Sequence, residues 1–354
     1  MKESKLNFKK VLIDYKNFFE LNINDFYIDG PKNMIETSNF VMSAKGKRVR
    51  PILSMMSCTA LGGKIEDSID VAIAIELLHN FTLVHDDIMD DDNLRHGQPT
   101  VHEKWDIGTA VLTGDSLLWL SLHALKNIKK NREKIILSFI DAIKLVCEGQ
   151  AYDKMFESKE NITLDEYEQM IGMKTGYMIG LCSHLGSICA DADLGTQIKM
   201  QNYGLEIGKA YQIQDDYMEI YSNQEVMKKS LNSDVELNKK TYMICLAIKN
   251  GKFDVIDILK SKKCSLEKIK DLRNYFEKTG IKQQTIEEIN KTFNNANKIL
   301  DTIKFKLNYL HEVNRFLINR KYWYGRFNKK IKEIDSQDMQ SQISSIYLQV
   351  EDSL

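Results

Sequence analysis

Lys and Arg number 49 and Asp and Glu 50 in 354 residues, a net charge of −1, which excludes nucleic-acid binding driven by bulk electrostatics. Only three prolines occur (Pro31, Pro51, Pro99), and no Gly- or Pro-rich linker divides the chain, so one large domain is expected where the length alone would permit two or three. The start, MKESKLNFKK, has no apolar signal core and no stretch is long and apolar enough for a bilayer, which excludes a membrane span and predicts a cytoplasmic protein.

Helical apolar spacing recurs from end to end without a run of alternating strands, predicting an all-α fold. The first distinctive segment is the compact cationic Gly46-Lys47-Arg48-Val49-Arg50-Pro51. Residues 71–84, VAIAIELLHNFTLV, are apolar nearly all round and predict a buried helix. Asp86-Asp87-Ile88-Met89-Asp90 follows at its end, and Arg95 comes five residues later in Asn93-Leu94-Arg95-His96-Gly97. Thr163-Leu-Asp-Glu166 and Thr285-Ile-Glu-Glu288 read as capping boxes opening helices, and Gly280 suits the position just past a helix over 266–278. Lys174-Thr175-Gly176 lies mid-chain. A second acidic motif, Asp215-Asp216-Tyr217-Met218-Glu219, precedes a polar, loop-like stretch over 223–238, with Lys229 and Lys239 within and beside it. The six cysteines form no CxxC pair and sit mostly in apolar segments, predicting buried free thiols in a reducing compartment.

The two acidic motifs have one shape, with carboxylates at i, i+1 and i+4. On a helix, i and i+4 share a face about 6 Å apart along the axis. A solvated surface is the ordinary reading of an acidic run. Here the acids emerge from core helices, where carboxylates are costly unless paired or metal-bound. Two such faces would hold a small cluster of divalent cations, as a diphosphate requires. The basic residues suggest two polyanion sites, one bridged by metal and one bound directly by Lys and Arg.

In order and spacing, GKRVRP, DDIMDDDNLRHGQPTVH, Gly149-Gln150, KTG, and YQIQDDYME with its lysine loop resemble the trans-isoprenyl diphosphate synthase (polyprenyl synthetase) family, short-chain farnesyl or geranylgeranyl type. The likeness runs from about Lys45 to about Lys321. It implies an isoprenoid-synthase helical bundle with a central cavity over 1–325, a homodimer, and a C-terminal extension, 326–354, without an assigned role. The substrates implied are an allylic diphosphate and isopentenyl diphosphate, joined head to tail after ionisation assisted by three magnesium ions, manganese being able to substitute.

Residue roles come over from the same resemblance. Asp86 and Asp90 match metal ligands supported by Asp87. Asp215 matches a ligand of the second motif, with Asp216 and Glu219 acting directly or through water. Arg95, Lys174 and Lys239 match residues holding the allylic diphosphate, and Lys229 a lysine of the closing loop. Thr175 and Gln212 match residues at the reacting end. Lys47, Arg50 and His79 match the isopentenyl diphosphate site. Phe81, five residues before the first motif, and Thr82 match the cavity floor; a bulky ring there predicts C15 to C20 products, with C15 favoured. The family pattern does not use His85 as a ligand, although it adjoins the acids. His102 and His184 are expected to be structural, Trp105 and Trp119 to pack the core or a dimer interface, and Gln150 to face the cavity.

Three departures stand out. His96 replaces the second arginine after the first motif, where contact with isopentenyl diphosphate is implied, and would make that contact weaker or pH-dependent. Glu219 replaces an aspartate. Asn232 and Asn238 replace lid glycines, and Lys45 the first glycine of the basic motif. His96 leaves a class I terpene cyclase as one alternative; a noncatalytic partner subunit is another. The intact Lys47, Arg50, His79 and second acidic motif weigh against the cyclase, and the retention of every acid against the partner subunit.

Overall fold

A computed structural model describes residues 2–23, 26–27, 29–44, 46–221, 235, 237 and 239–319. Lys45, Lys229, Asn232, Asn238 and the extension 326–354 lie outside the described residues, as does most of the polar stretch 223–238.

Helix α4 (Ile69–Met89) organises the fold. Val71, Ala72, Ala74, Ile75, Leu77 and Leu78 are essentially inaccessible, as an all-round apolar sequence dictates: such a helix has no face to give to water. Its neighbours are α1 (Lys2–Asn22), α3 (Val49–Ala60), α6 (Ile107–Ala124) and α9 (Tyr177–Cys189), with α6 the most extensive partner. Helix α9 bridges α3 to α10 (Leu194–Tyr221). Around them stand α2 (Lys32–Met42), α5 (Val101–Lys104), α7 (Arg132–Ser158) and α8 (Leu164–Ile171). Helices Tyr242–Lys249, Asp254–Lys260, Ser265–Lys278, Ile281–Asp301 and Asn308–Ile318 complete the described chain. The Ile281–Asp301 helix packs along α10. Tyr203 donates to the Leu310 carbonyl at 3.1 Å and Gln214 to that of Leu317 at 3.3 Å, fastening the last helix to α10.

The expected all-α fold is what the described residues form, with one small addition. Strands β1 (Leu94–Arg95) and β2 (Gln98–Pro99) pair antiparallel, Arg95 opposite Gln98. The turn residues His96 and Gly97 both have positive φ, 54° and 79°, the condition for a tight primed hairpin turn. Two-residue strands leave no alternation for a sequence pattern to reveal.

Local signals are mixed. The Thr163–Glu166 capping box forms: Glu166 N donates to Thr163 Oγ1 at 3.1 Å, and Thr163 N to Glu166 Oε2 at 2.7 Å. Gly280, at φ 75°, follows the Ser265–Lys278 helix as expected. The second expected box does not form. Thr285 lies inside the Ile281–Asp301 helix, buried, and donates to the Ile281 carbonyl at 2.8 Å. The thiols also differ in part: all six are free, but Cys147 and Cys264 are exposed. No helix of the described residues is long and apolar enough to cross a membrane.

Arg48, within the basic hexapeptide, is a structural centre. It is buried, with φ 50°, and donates to Glu20 of α1 at 2.8 Å, Glu76 of α4 at 2.7 Å and the Met42 carbonyl at 2.7 Å. These bonds fix the turn from which Lys47 and Arg50 project.

Candidate active site

The first acidic motif closes α4, with Asp90 as its C-cap. Its three carboxylates go to three different cations. Asp87 is buried and accepts from Arg95 Nε at 2.8 Å. Burial pushes its carboxyl up to about 6 even with the guanidinium against it. Arg95 also reaches Asp92 at 3.1 Å, which anchors the hairpin to the helix end. Asp86 faces Lys174 at 3.6 Å. Burial raises its carboxyl, and Lys174 opposes that shift. Asp90 Oδ2 accepts from Lys239 at 2.6 Å, and its Oδ1 lies 3.6 Å from Lys154.

Lys174 sits in a π-type turn, Gly172–Gly176, between α8 and α9. Such turns re-aim side chains within an otherwise helical run. The turn lies against Gly149 of α7, where an added Cβ would be 2.6 Å from the Lys174 backbone nitrogen. Asp153, one helical turn on, accepts from Lys174 at 2.8 Å. Burial disfavours the Lys174 ammonium, but Asp86 and Asp153 outweigh it and hold its pKa above the ordinary value.

The next residue carries the connection to α10. Thr175 Oγ1 donates to Gln212 Oε1 at 2.9 Å, and Gln212 Nε2 donates to Asp216 Oδ1 at 3.0 Å. Asp216 is buried and also accepts from the Tyr167 hydroxyl at 2.6 Å and the Tyr242 backbone N–H at 2.8 Å. Asp215 and Glu219, at i and i+4, are half-buried on their own face of α10. A relay of polar groups therefore joins the motifs: Asp86, Lys174, Thr175, Gln212, Asp216.

A second basic cluster lies beside α4. Arg50 Nη1 is 3.0 Å from His79 Nε2. A guanidinium can only donate, so this nitrogen of His79 is the acceptor. Burial, reinforced by Arg50, His96 and Arg95, holds the imidazole well below its ordinary pKa, hence neutral. Lys47 is exposed at the rim. Below the first motif, Phe81 is buried and its ring meets His85 edge-on at 4.8 Å. Thr82 donates its hydroxyl to the His79 carbonyl at 2.7 Å.

Residues 31–276 match the polyprenyl synthetase family model. The chain belongs to the polyprenyl synthetase family. It is 37% identical over 250 residues to the geranylgeranyl diphosphate synthase of Saccharolobus solfataricus, covering 69% of this chain and 75% of the relative. It is 32% identical over 295 residues to the geranylgeranyl pyrophosphate synthase of Geoglobus acetivorans, covering 82% and 92%. Among solved structures, geranylgeranyl pyrophosphate synthetase from Pyrococcus horikoshii superposes with a TM-score of 0.82 at 27% identity, covering 89% of this chain and 99% of that one. As a polyprenyl synthetase the protein is a prenyltransferase, and the likeness to diphosphate synthases disfavours the cyclase and partner-subunit alternatives.

The donor set of this synthetase fits hard divalent cations. Asp86 and Asp90 are oxygen donors one helical turn apart, mostly buried, and balanced by the ammoniums of Lys174 and Lys239. Asp87 and Asp216 differ from the other acids. The first is spent on Arg95, and the second on Tyr167, Gln212 and the Tyr242 N–H.

Sequence reasoning missed several participants. Lys154 also ion-pairs with Glu157 at 2.8 Å and donates to the Met89 carbonyl at 3.0 Å. Nothing local marks Tyr167, whose hydroxyl reaches Asp216 across 49 residues. Gln150, expected at the cavity, is buried, with Nε2 3.8 Å from Met89 Sδ and Oε1 without a hydrogen-bond partner. His184 is structural as expected, its Nδ1 lying 3.2 Å from the Gln197 carbonyl. Trp105 packs against Phe40, while Trp119 is exposed.

Proposed function

We propose that this prenyltransferase condenses an allylic diphosphate with isopentenyl diphosphate, head to tail, to a trans-prenyl diphosphate of C15 to C20. The single observation that carries the reading is the relay from Asp86 through Lys174, Thr175 and Gln212 to Asp216. It links cations and carboxylates of both acidic motifs by a chain of contacts, which supports a shared site for a diphosphate leaving group.

Three magnesium ions, held by Asp86, Asp90, Asp215 and Glu219, would neutralise that charge when bound; manganese could serve in their place. Lys174, Lys239 and Lys229 contribute preorganised positive charge. Arg95 does so from a position fixed by Asp87. Thr175 and Gln212 orient the reacting end. Lys47, Arg50, neutral His79 and His96 bind isopentenyl diphosphate. The proton lost from its carbon skeleton goes to the departing diphosphate, so no side-chain base is needed. Phe81 closes the floor. The geranylgeranyl relatives support the upper end of the length range.

A homodimer is part of the same reading. Val111, Leu112, Trp119 and Leu122 of α6, with Leu137 and Ile140 of α7, are large exposed apolar side chains, the type of surface a second copy covers. The free thiols support a reducing, cytoplasmic setting.

The test is a product assay with magnesium, supplying dimethylallyl, geranyl or farnesyl diphosphate with and without isopentenyl diphosphate. Extended diphosphates that require isopentenyl diphosphate are expected. Hydrocarbons or alcohols formed without it would make the protein a cyclase. No turnover under any condition would point to a partner-dependent subunit.

A further inference from the structure

We infer that Asp91, His102 and Glu103 form a second divalent-cation site, for a transition metal of the zinc or cobalt kind, at the root of the Arg95–His96 hairpin. One ligand atom from each residue lies within 4.8 Å of the other two. His102 Nε2 is 3.9 Å from Glu103 Oε1.

Acidic side chains gather at surfaces without consequence, so His102 carries the argument. Its side chain is only 6% exposed. Both ring nitrogens are buried, and neither has a hydrogen-bond partner. A neutral imidazole has one donor and one acceptor, and leaving such groups dry and unpaired costs about 1–3 kcal/mol each. A cation on the unprotonated nitrogen removes half of that debt.

The donor chemistry sets the metal class. One imidazole and two carboxylates suit zinc, cobalt or manganese, whereas magnesium prefers all-oxygen surroundings. At metal–ligand distances of about 2.1 Å the three donor atoms would stand roughly 3.4 Å apart. The contraction falls on Asp91 and Glu103, which are exposed and can change rotamer.

The site is separate from the diphosphate acids. Asp91 is the first residue beyond the Asp90 cap of α4, whereas His102 and Glu103 belong to α5. The hairpin bearing Arg95 and His96 lies between them. A cation here would close that loop at its base and hold Arg95 against Asp87 without touching substrate.

The experiment is a cobalt and zinc titration of the full chain, followed by calorimetry and the visible cobalt absorption. Excess magnesium occupies the diphosphate acids, and no prenyl substrate is present. The wild-type protein should bind one cobalt with a ligand-field band of low coordination number. His102→Gln should weaken binding by about 100-fold, and Asp91→Asn and Glu103→Gln by about tenfold or more. Asn tolerates the positive φ of Asp91, 53°, and both carboxylates are exposed. If His102→Gln fails to fold, these two variants decide the matter. Equal binding by all variants, absence of cobalt uptake by the wild type, or a signal lost in Asp86→Asn but kept in the three variants would overturn the site. The readout is metal binding, so it stands apart from whether the prenyl transfer reading holds.

Discussion

Lys239 Nζ lies 2.6 Å from Asp90 Oδ2, joining the end of the second-motif segment to the cap of α4 across 149 residues. The pair is an internal counterion arrangement: the lysine balances a carboxylate that the proposed chemistry would give to metal. Lys154 stands 3.6 Å from the other Asp90 oxygen. Lys239→Ala breaks a largely buried pair and should cost stability, up to about 3–5 kcal/mol, lessened by Lys154 at the other carboxylate oxygen. Turnover should fall about 100-fold, the usual loss for one preorganised charge on a leaving group. Steady-state kinetics beside urea denaturation would separate the two. A variant that is unstable but fully active would contradict this role.

Asp215 and Asp216 are neighbours with opposite prospects. Asp216 accepts hydrogen bonds from Tyr167, Gln212 and the Tyr242 N–H. An amide at this position turns a donor toward at least one of those donors. Asp216→Asn should cost about 1–3 kcal/mol of stability as well as activity. Asp215→Asn, on the half-buried face, should lower activity and raise the magnesium concentration needed for it, with little change in melting temperature. Paired thermal melts and magnesium titrations would show whether the two variants part in this way.

Phe81 packs edge-on against His85, and His85 Nε2 lies 3.2 Å from the Val111 carbonyl of α6. The Phe81 ring is buried against His85, which in turn bonds across to α6. Phe81→Ala should lengthen the product by at least one isoprene unit, at a stability cost of about 3–5 kcal/mol. Mass analysis of the products is the check, and an unchanged distribution would remove Phe81 from the floor.

His184 supplies a pH dependence remote from the acids. Burial holds its pKa below the ordinary value; a bond to the Gln197 carbonyl opposes this weakly. The unfolded chain therefore binds the proton more readily than the native one. Stability is undiminished above the unfolded value of about 6.5 and declines as pH falls through it, until the native imidazole also protonates. Denaturant midpoints measured from pH 7.5 downward should fall less steeply in His184→Gln than in the wild type. Parallel curves would refute the assignment.

The helical fold and both acidic motifs were legible because their signals are local: an all-round apolar run in α4 and a four-residue carboxylate spacing. The structural part played by Arg48 was not legible in the hexapeptide, since it is set by Glu20 and Glu76, 28 residues away on either side. The Thr285 box misled because a capping pattern inside a helix looks the same as one at its start; burial of Thr285 decided the outcome. The contacts of Asp87 and Asp216 were not legible either, because Arg95 and Tyr167 reach them from elsewhere in the fold.

Arg48 has an implication for descent. Its guanidinium is buried and shared between Glu20 and Glu76. Losing Glu76 alone would strand a desolvated charge, at about 3–5 kcal/mol, whereas replacing the whole cluster with apolar residues of matching volume could be nearly neutral. These three positions can therefore diverge only in concert. A lineage that once exchanged the cluster for hydrocarbon would find the way back closed, since each charge restored singly would arrive without its partner.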